Sequence, residues 1–228
     1  MDERFSRTER VLGADALVKL RGASVILFGV GGVGGAACEA LVRAGIGKLT
    51  VVDKDTVDIT NLNRQLVATE NTVGMKKTDA AEMRAFSINP DIVFVKKDMF
   101  YLPENADEID LREYDFIVDA IDNVSAKIEL AVRAQNAGVS IISSMGTGNK
   151  IHPELLKIAD IYKTSVCPLA RVMRRELKAR GVKHLAVVYS EEEPVKTDGR
   201  TPGSTSFVPP AAGYIAASYV IRNLLNID

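Results

Sequence analysis

The run Ser24-Val-Ile-Leu-Phe28 breaks directly into Gly29-Val-Gly31-Gly-Val-Gly34, and an alanine-rich segment follows from Ala36 to Ala44 and stops at Gly45. A short continuous apolar stretch ending in glycines reads as a strand buried on both faces of a parallel sheet. Gly29, Gly31 and Gly34 spell G-x-G-x-x-G between that strand and a helix. Glycine there permits a tight turn, lets backbone amides approach a phosphate, and lets the helix pack close to the strand. A second apolar run, Lys48 to Val52, ends in Asp53, nineteen residues after Gly34. A carboxylate at that place accepts hydrogen bonds from ribose hydroxyls, so strand, glycine turn, helix, strand and aspartate together predict a nucleotide site.

The alternation continues downstream. Residues 8–20 are loosely helical despite Gly13. The spacing predicts helices over 75–86 and 124–137 and strands over 92–96, 116–118 and 139–143. Helices between buried strands give an α/β, Rossmann-like doubly wound and mostly parallel sheet with helices on both faces. A less regular C-terminal part completes it: a half-exposed strand over 155–162, a helix over 169–180, a strand over 185–190 and a final helix from Pro209-Pro210 to about Asn226. Residues 191–206, rich in Pro, Gly, Ser, Thr and charge, read as a mobile loop. No repeat or long linker divides the chain. The expectation is a single domain over 1–228, with a nucleotide-binding part at 1–145 and a substrate-binding and dimer part at 146–228.

Composition removes several classes of function. With 29 Lys plus Arg against 30 Asp plus Glu, the chain is not a generally polybasic nucleic-acid binder. Two cysteines cannot supply a Cys₄ zinc site or a disulfide framework and read as a reduced, cytoplasmic protein. No apolar run approaches the roughly 20 residues that span a bilayer, and the charged N-terminus has no apolar signal core.

The residues after Asp53 decide which nucleotide is expected. Asp53, Asp55, Asn61, Arg64 and Lys77 fall within twenty-five residues, joining carboxylates and an amide to two cations that can offset phosphate charge during an in-line displacement. Asp119 and Asp122 follow the 116–118 strand and so belong to the carboxyl edge of the sheet. Asp122 suits Mg²⁺, which prefers carboxylate and phosphate oxygens; Asp122 and Asn123 also suit the capping of the next helix. The imidazoles, His152 and His184, both lie in the less regular part, which disfavours hydride transfer. An NAD-binding oxidoreductase or a nucleotide-sensing module stays as an alternative.

Arg4-Phe-Ser-Arg7, GVGGVGG at 29–35, DKDTVDITNLNRQ at 53–65, VGMKK at 73–77 and DAIDN at 119–123 together resemble the ThiF/MoeB/HesA superfamily of adenylylating enzymes. The resemblance implies an ATP site. It gives adenosine to Gly29, Gly31, Gly34 and Asp53, ribose or phosphate contacts to Asn61, Arg64 and Lys77, and Mg²⁺ to Asp122. It also implies a homodimer in which Arg7 reaches into the neighbouring subunit's site. Blocks at 145–164, 168–181, 187–194 and 203–213 look like the branch that dehydrates threonylcarbamoyladenosine in tRNA, using ATP and releasing AMP and pyrophosphate. That branch implies a tRNA partner and admits a monovalent cation and a sulfur-transfer protein partner, while the lack of paired CxxC motifs and of a long apolar run leaves no zinc and no membrane expected. The rival within the superfamily is an adenylyltransferase that activates the C-terminus of a ubiquitin-like sulfur carrier.

Two further features bear on that substrate. Lys163, Arg171, Arg174, Arg175, Lys178, Arg180, Lys183 and His184 gather positive charge in about twenty residues, opposed mainly by Glu176, and form the candidate tRNA surface. Cys167 precedes Pro168 before that basic helix, where a cation-rich setting makes it a candidate acyl acceptor; a small loop residue is the plainer reading. Cys38 lies in the apolar helix and reads as core.

Overall fold

The computed structural model describes residues 3–199 and 201–227; Arg200, within the 191–206 loop, lies outside the described residues. Seven strands form one sheet in the order β3-β2-β1-β4-β5-β7-β6. They are β1 (Ser24–Phe28), β2 (Lys48–Val52), β3 (Val93–Lys97), β4 (Phe116–Asp119), β5 (Ser140–Ser144), β6 (Leu156–Asp160) and β7 (Ala186–Ser190). All neighbours pair in parallel except β6, which runs antiparallel to β7 at one edge. β1 and β4 are central and buried almost throughout, as continuous apolar runs require.

Helices cover both faces. On one, α2 (Ala14–Gly22), α3 (Gly32–Ala44), α4 (Lys77–Ile88) and α7 (Val208–Leu225) share a core with β1, β2 and β4. On the other, α5 (Val124–Ala137) and α6 (Pro168–Ala179) pack together with β5 and β7. The sequence reading thus holds for the fold class, with local corrections. Residues 8–20 are not one helix: α1 (Ser6–Leu12) ends at Gly13, whose φ of +88° breaks the path before α2. α3 starts inside the glycine motif at Gly32 rather than at Ala36, because the motif's last glycines already adopt helical geometry. The 155–162 strand is shortened to β6, with one-turn 3₁₀ segments at both ends. Among the described residues, 191–206 contain no helix or strand, and no helix is long and apolar enough to cross a membrane.

Candidate active site

A cleft of about 720 Å³ opens at the carboxyl edge of the sheet, where β1 and β4 lie side by side. From β1 the chain builds outward through β2 to β3, then returns to place β4 on the other side, so the cleft sits at the topological switch point of the sheet. Gly29, Gly31 and Gly32 line one end with Asp53, Asp55, Arg64 and Lys77; Asp122 and Asn123 come from the turn after β4. Met99, Phe100, Tyr101 and Leu102 supply an apolar wall. The far end is formed by Ser144 to Gly148, Leu169 and Pro202 to Ser204.

The glycine turn is built against the turn after β4. Gly29 has φ +87°, and a Cβ there would lie 2.7 Å from the Ala120 carbonyl oxygen, so only glycine fits. Asp53 fastens the same turn: one carboxylate oxygen accepts the Val30 N–H at 2.7 Å and the other accepts the Asp55 N–H at 2.8 Å. A carboxylate offers about four acceptor directions, so this anchoring leaves capacity for ligand hydroxyls.

Lys77 reaches the cleft because residues 53–77 close on themselves. The Val57 N–H donates to the Met75 carbonyl and the Lys77 N–H to the Asp55 carbonyl, each near 2.9 Å, and Thr56 bridges Lys76. Asp58 caps the 3₁₀ turn Ile59–Asn61, accepting the Thr60 N–H, while the Asn61 Oδ1 accepts the Asp58 N–H at 3.1 Å. Asn61 is therefore a nearly buried brace of the loop beside the cleft. The Lys77 side chain, also buried, donates to Asp55 Oδ2 at 2.7 Å. Arg64 Nη1 donates to the Thr60 carbonyl and to Asn63 Oδ1, which presents the guanidinium at the cleft wall.

The aspartate that ends β4 and the one that follows it have separate jobs. Asp119 is buried and ion-paired to Lys127, whereas Asp122 is exposed at the cleft. Asn123, not Asp122, caps α5, its Oδ1 accepting the Ala126 N–H at 3.0 Å. Gly34 also lies outside the cleft lining, where it packs α3 against the turn. Arg7 is exposed on α1 and away from the cleft of its own chain. Neither imidazole lines the cleft: His152 pairs with Glu154 and His184 with Asp160.

Cys167 is not a loop residue in the open. It stands immediately before α6, 2% exposed, packed with Met145, Ile161 and Ala170. Cys38 is core, its thiol pushed up to about 12 by burial. The basic stretch is less uniform than its composition. Ala170, Met173 and Leu177 bury one face of α6, and Arg171, Arg175 and Lys178 share the exposed one. Glu176 pairs with both Arg175 and Arg180, and Arg174 turns inward to the Thr164 carbonyl. Lys163 and Lys183 stay exposed near the two ends of the helix.

Residues 5–227 match the sequence pattern of the ThiF family. The chain belongs to the ThiF family. Among its ThiF-family relatives, the tRNA threonylcarbamoyladenosine dehydratase of Bacillus subtilis is 39% identical over 243 residues, covering 99% of this chain and 96% of that protein. The crystal structure of the Escherichia coli tRNA N6-threonylcarbamoyladenosine dehydratase, TcdA, in complex with AMP superposes with a TM-score of 0.93 at 31% identity, covering 98% of this chain and 94% of that one. The same E. coli protein in complex with ATP gives 0.91 at 31% identity, with the same coverage.

Sequence reasoning about this ThiF-family chain missed the far end of the cleft and the partner of Asp119. Ser144 to Gly148 and Pro202 to Ser204 are small or backbone-presenting residues with no chemical signature. Lys127 sits in a helix, where a lone lysine ordinarily reads as solvated; its place among Ala126, Ile128 and Leu130 was the available signal.

Proposed function

We propose that this protein uses ATP to dehydrate threonylcarbamoyladenosine in tRNA, through adenylylation of the threonyl carboxylate. The observation that carries the reading is one cleft joining a phosphate-accepting glycine turn to Arg64, Lys77 and Asp122, in a chain that aligns end to end with a dehydratase of that name. The substrate carboxylate attacks the α-phosphate and pyrophosphate leaves. The ureido nitrogen or oxygen of the same modification then attacks the activated carbonyl, AMP departs with one carboxylate oxygen, and the ring closes with net loss of water. The attacking atom is tethered at high effective concentration, so ring closure needs no protein nucleophile.

The residues take the following roles. The amides of the glycine turn and the N-terminus of α3 face the phosphates. Asp53 holds the ribose, within a loop braced by Asn61. Lys77 exchanges Asp55 for phosphate oxygens, and Arg64 neutralises the leaving group. Arg7 acts from a second copy of this chain. Asp122 fits a Mg²⁺ site: it is an exposed carboxylate at the cleft, and Mg²⁺ takes one or two carboxylates with phosphates and water rather than a protein cage. Consistent with that, no group of three or more His, Cys, Asp or Glu among the described residues could hold a metal unaided. Bound there, Mg²⁺ would neutralise phosphate charge.

Mass spectrometry of tRNA nucleosides after incubation with the protein and ATP tests the proposal, with loss of one water from threonylcarbamoyladenosine expected. Pyrophosphate exchange driven only by small ubiquitin-like proteins would replace it with the sulfur-carrier reading. Two variants refine the assignment. Cys167→Ala retains turnover within about threefold, because a buried thiol packed among apolar side chains is not needed as acyl acceptor; loss of more than about 100-fold would restore that role. The pair Arg171→Ala and Lys178→Ala weakens tRNA binding about tenfold at moderate salt and lowers the salt slope by about two, since each cation removed leaves one phosphate with its counterions. An unchanged slope in filter binding would remove the α6 face from the tRNA path.

A further inference from the structure

Beneath the cleft floor lies a buried polar cluster that the reaction scheme does not use. Asp119, 1% exposed, and Lys127, fully buried, form an ion pair at 3.0 Å. Asp119 Oδ1 accepts the Ile121 N–H at 3.1 Å, and Oδ2 also accepts the Ser143 hydroxyl at 2.5 Å. Lys127 Nζ donates to the Ile121 carbonyl at 3.1 Å. Both polar groups of the Ile121 residue are thus gripped, the N–H by the carboxylate and the carbonyl by the ammonium. The next residue is Asp122.

Stability alone does not account for this arrangement. An ion pair buried so completely gives up the hydration of both charges, and apolar residues of similar volume would commonly hold a fold as well or better. What such a pair adds is direction, because charged groups fix the peptide between them to within hydrogen-bond tolerance. The rest of the turn is secured on either side. Ala120 N–H donates to the Phe28 carbonyl at 2.8 Å, the Ala120 carbonyl abuts Gly29, and Asn123 caps α5. Ile121 is the link between those anchors, and Lys127 and Asp119 hold it.

We infer that Lys127 is a positioning residue for Asp122, acting through the Ile121 carbonyl, with Asp119, itself held by the Ser143 hydroxyl, orienting the ammonium. The inference rests on the proposed function only in taking Asp122 as the functional carboxylate. Lys127 touches no substrate. It sets where the Asp122 carboxylate stands relative to the phosphates, so its loss impairs the chemical step more than ATP capture by the glycine turn.

The test separates position from stability. Lys127→Met alone leaves Asp119 charged and unpaired, and a drop in melting temperature is expected. The double variant Asp119→Asn/Lys127→Met removes both charges and recovers most of that drop, while the Ile121 carbonyl stays unheld. In it, kcat for tRNA-dependent AMP formation, measured per folded protein well below the melting temperature, falls about 10- to 100-fold, with KM for ATP changing less than about threefold. A double variant with wild-type kcat would overturn the inference, as would a loss appearing only in KM. Wild-type protein that makes no AMP from ATP and substrate tRNA would overturn the functional reading instead, so the two failures are distinguishable.

Discussion

Asp122→Asn is expected to lower the turnover of AMP formation by about 10²–10³-fold while leaving the melting temperature within about 2 °C of wild type. The two halves of that expectation come from the division of labour after β4. Asp119 carries the buried ion pair, and Asn123 carries the helix cap. Asp122, exposed between them, is left out of both tasks. Asparagine keeps its size and one acceptor oxygen but removes the negative charge that would hold the metal cation. Steady-state release of pyrophosphate, with a parallel thermal melt, reads both quantities. Turnover within about threefold of wild type would take Asp122 out of the chemistry and leave Lys77 and Arg64 as the charged groups of the site.

How much of the molecule is legible in its sequence depends on how local the signal is. β1, the glycine turn, α3 and β2 follow one another without a break, and each carries its own mark: a continuous apolar run, an obligatory glycine, an alanine-rich helix. α5 is readable for the same reason, since its period and its closing Gly138 lie within fifteen residues. The direction of β6 is not, because alternation between apolar and polar positions reports a half-exposed strand but says nothing of its partner. The antiparallel pairing with β7 is fixed by long-range packing.

The site divides in the same way. Lys77 and Asp55 are twenty-two residues apart, yet both stand out in the sequence, because charged side chains in an otherwise structured region need an explanation. That they pair at 2.7 Å depends on the loop closing through Thr56 and Lys76, which no residue type announces. Asn61 reads from sequence as a ligand contact, and in the structure its Oδ1 also braces the loop by accepting the Asp58 N–H; one amide can serve both purposes. Glu192 shows the limit most clearly. It sits in the run Glu191-Glu192-Glu193, within the segment that reads as a mobile loop, yet it is 8% exposed and accepts the N–H groups of Ile151 and His152. The same region ties the 191–206 segment down: Asn149 Oδ1 accepts the Gly203 N–H at 2.6 Å, and Asn63 Nδ2 donates to the Ser204 carbonyl at 2.9 Å. Composition identifies a loop, whereas its anchoring depends on residues 40 to 141 positions away.

The glycine motif, legible from the start, supports the sharpest separation of fold from function, because its members do different things. At Gly34 a Cβ would lie 1.8 Å from the Gly29 carbonyl oxygen and 3.2 Å from the Ala120 side chain, so α3 could not pack against the turn without backbone movement. Gly34→Ala is therefore expected to cost more than about 3 kcal/mol and to lower the melting temperature by about 6–12 °C or prevent folding. At Gly31 the nearest neighbour to a new Cβ is the Gln65 amide nitrogen at 3.8 Å, and φ is −77°, which any residue adopts. Gly31→Ala should leave stability nearly unchanged. Gly31 lines the cleft, however, so its new methyl group would occupy the approach to the phosphates and weaken ATP binding at least about tenfold. Calorimetric titration of ATP beside thermal denaturation separates the two. If Gly31→Ala bound ATP as tightly as wild type, the phosphates could not sit on this turn, and the cleft would have to hold its nucleotide along the Met99 to Leu102 wall instead.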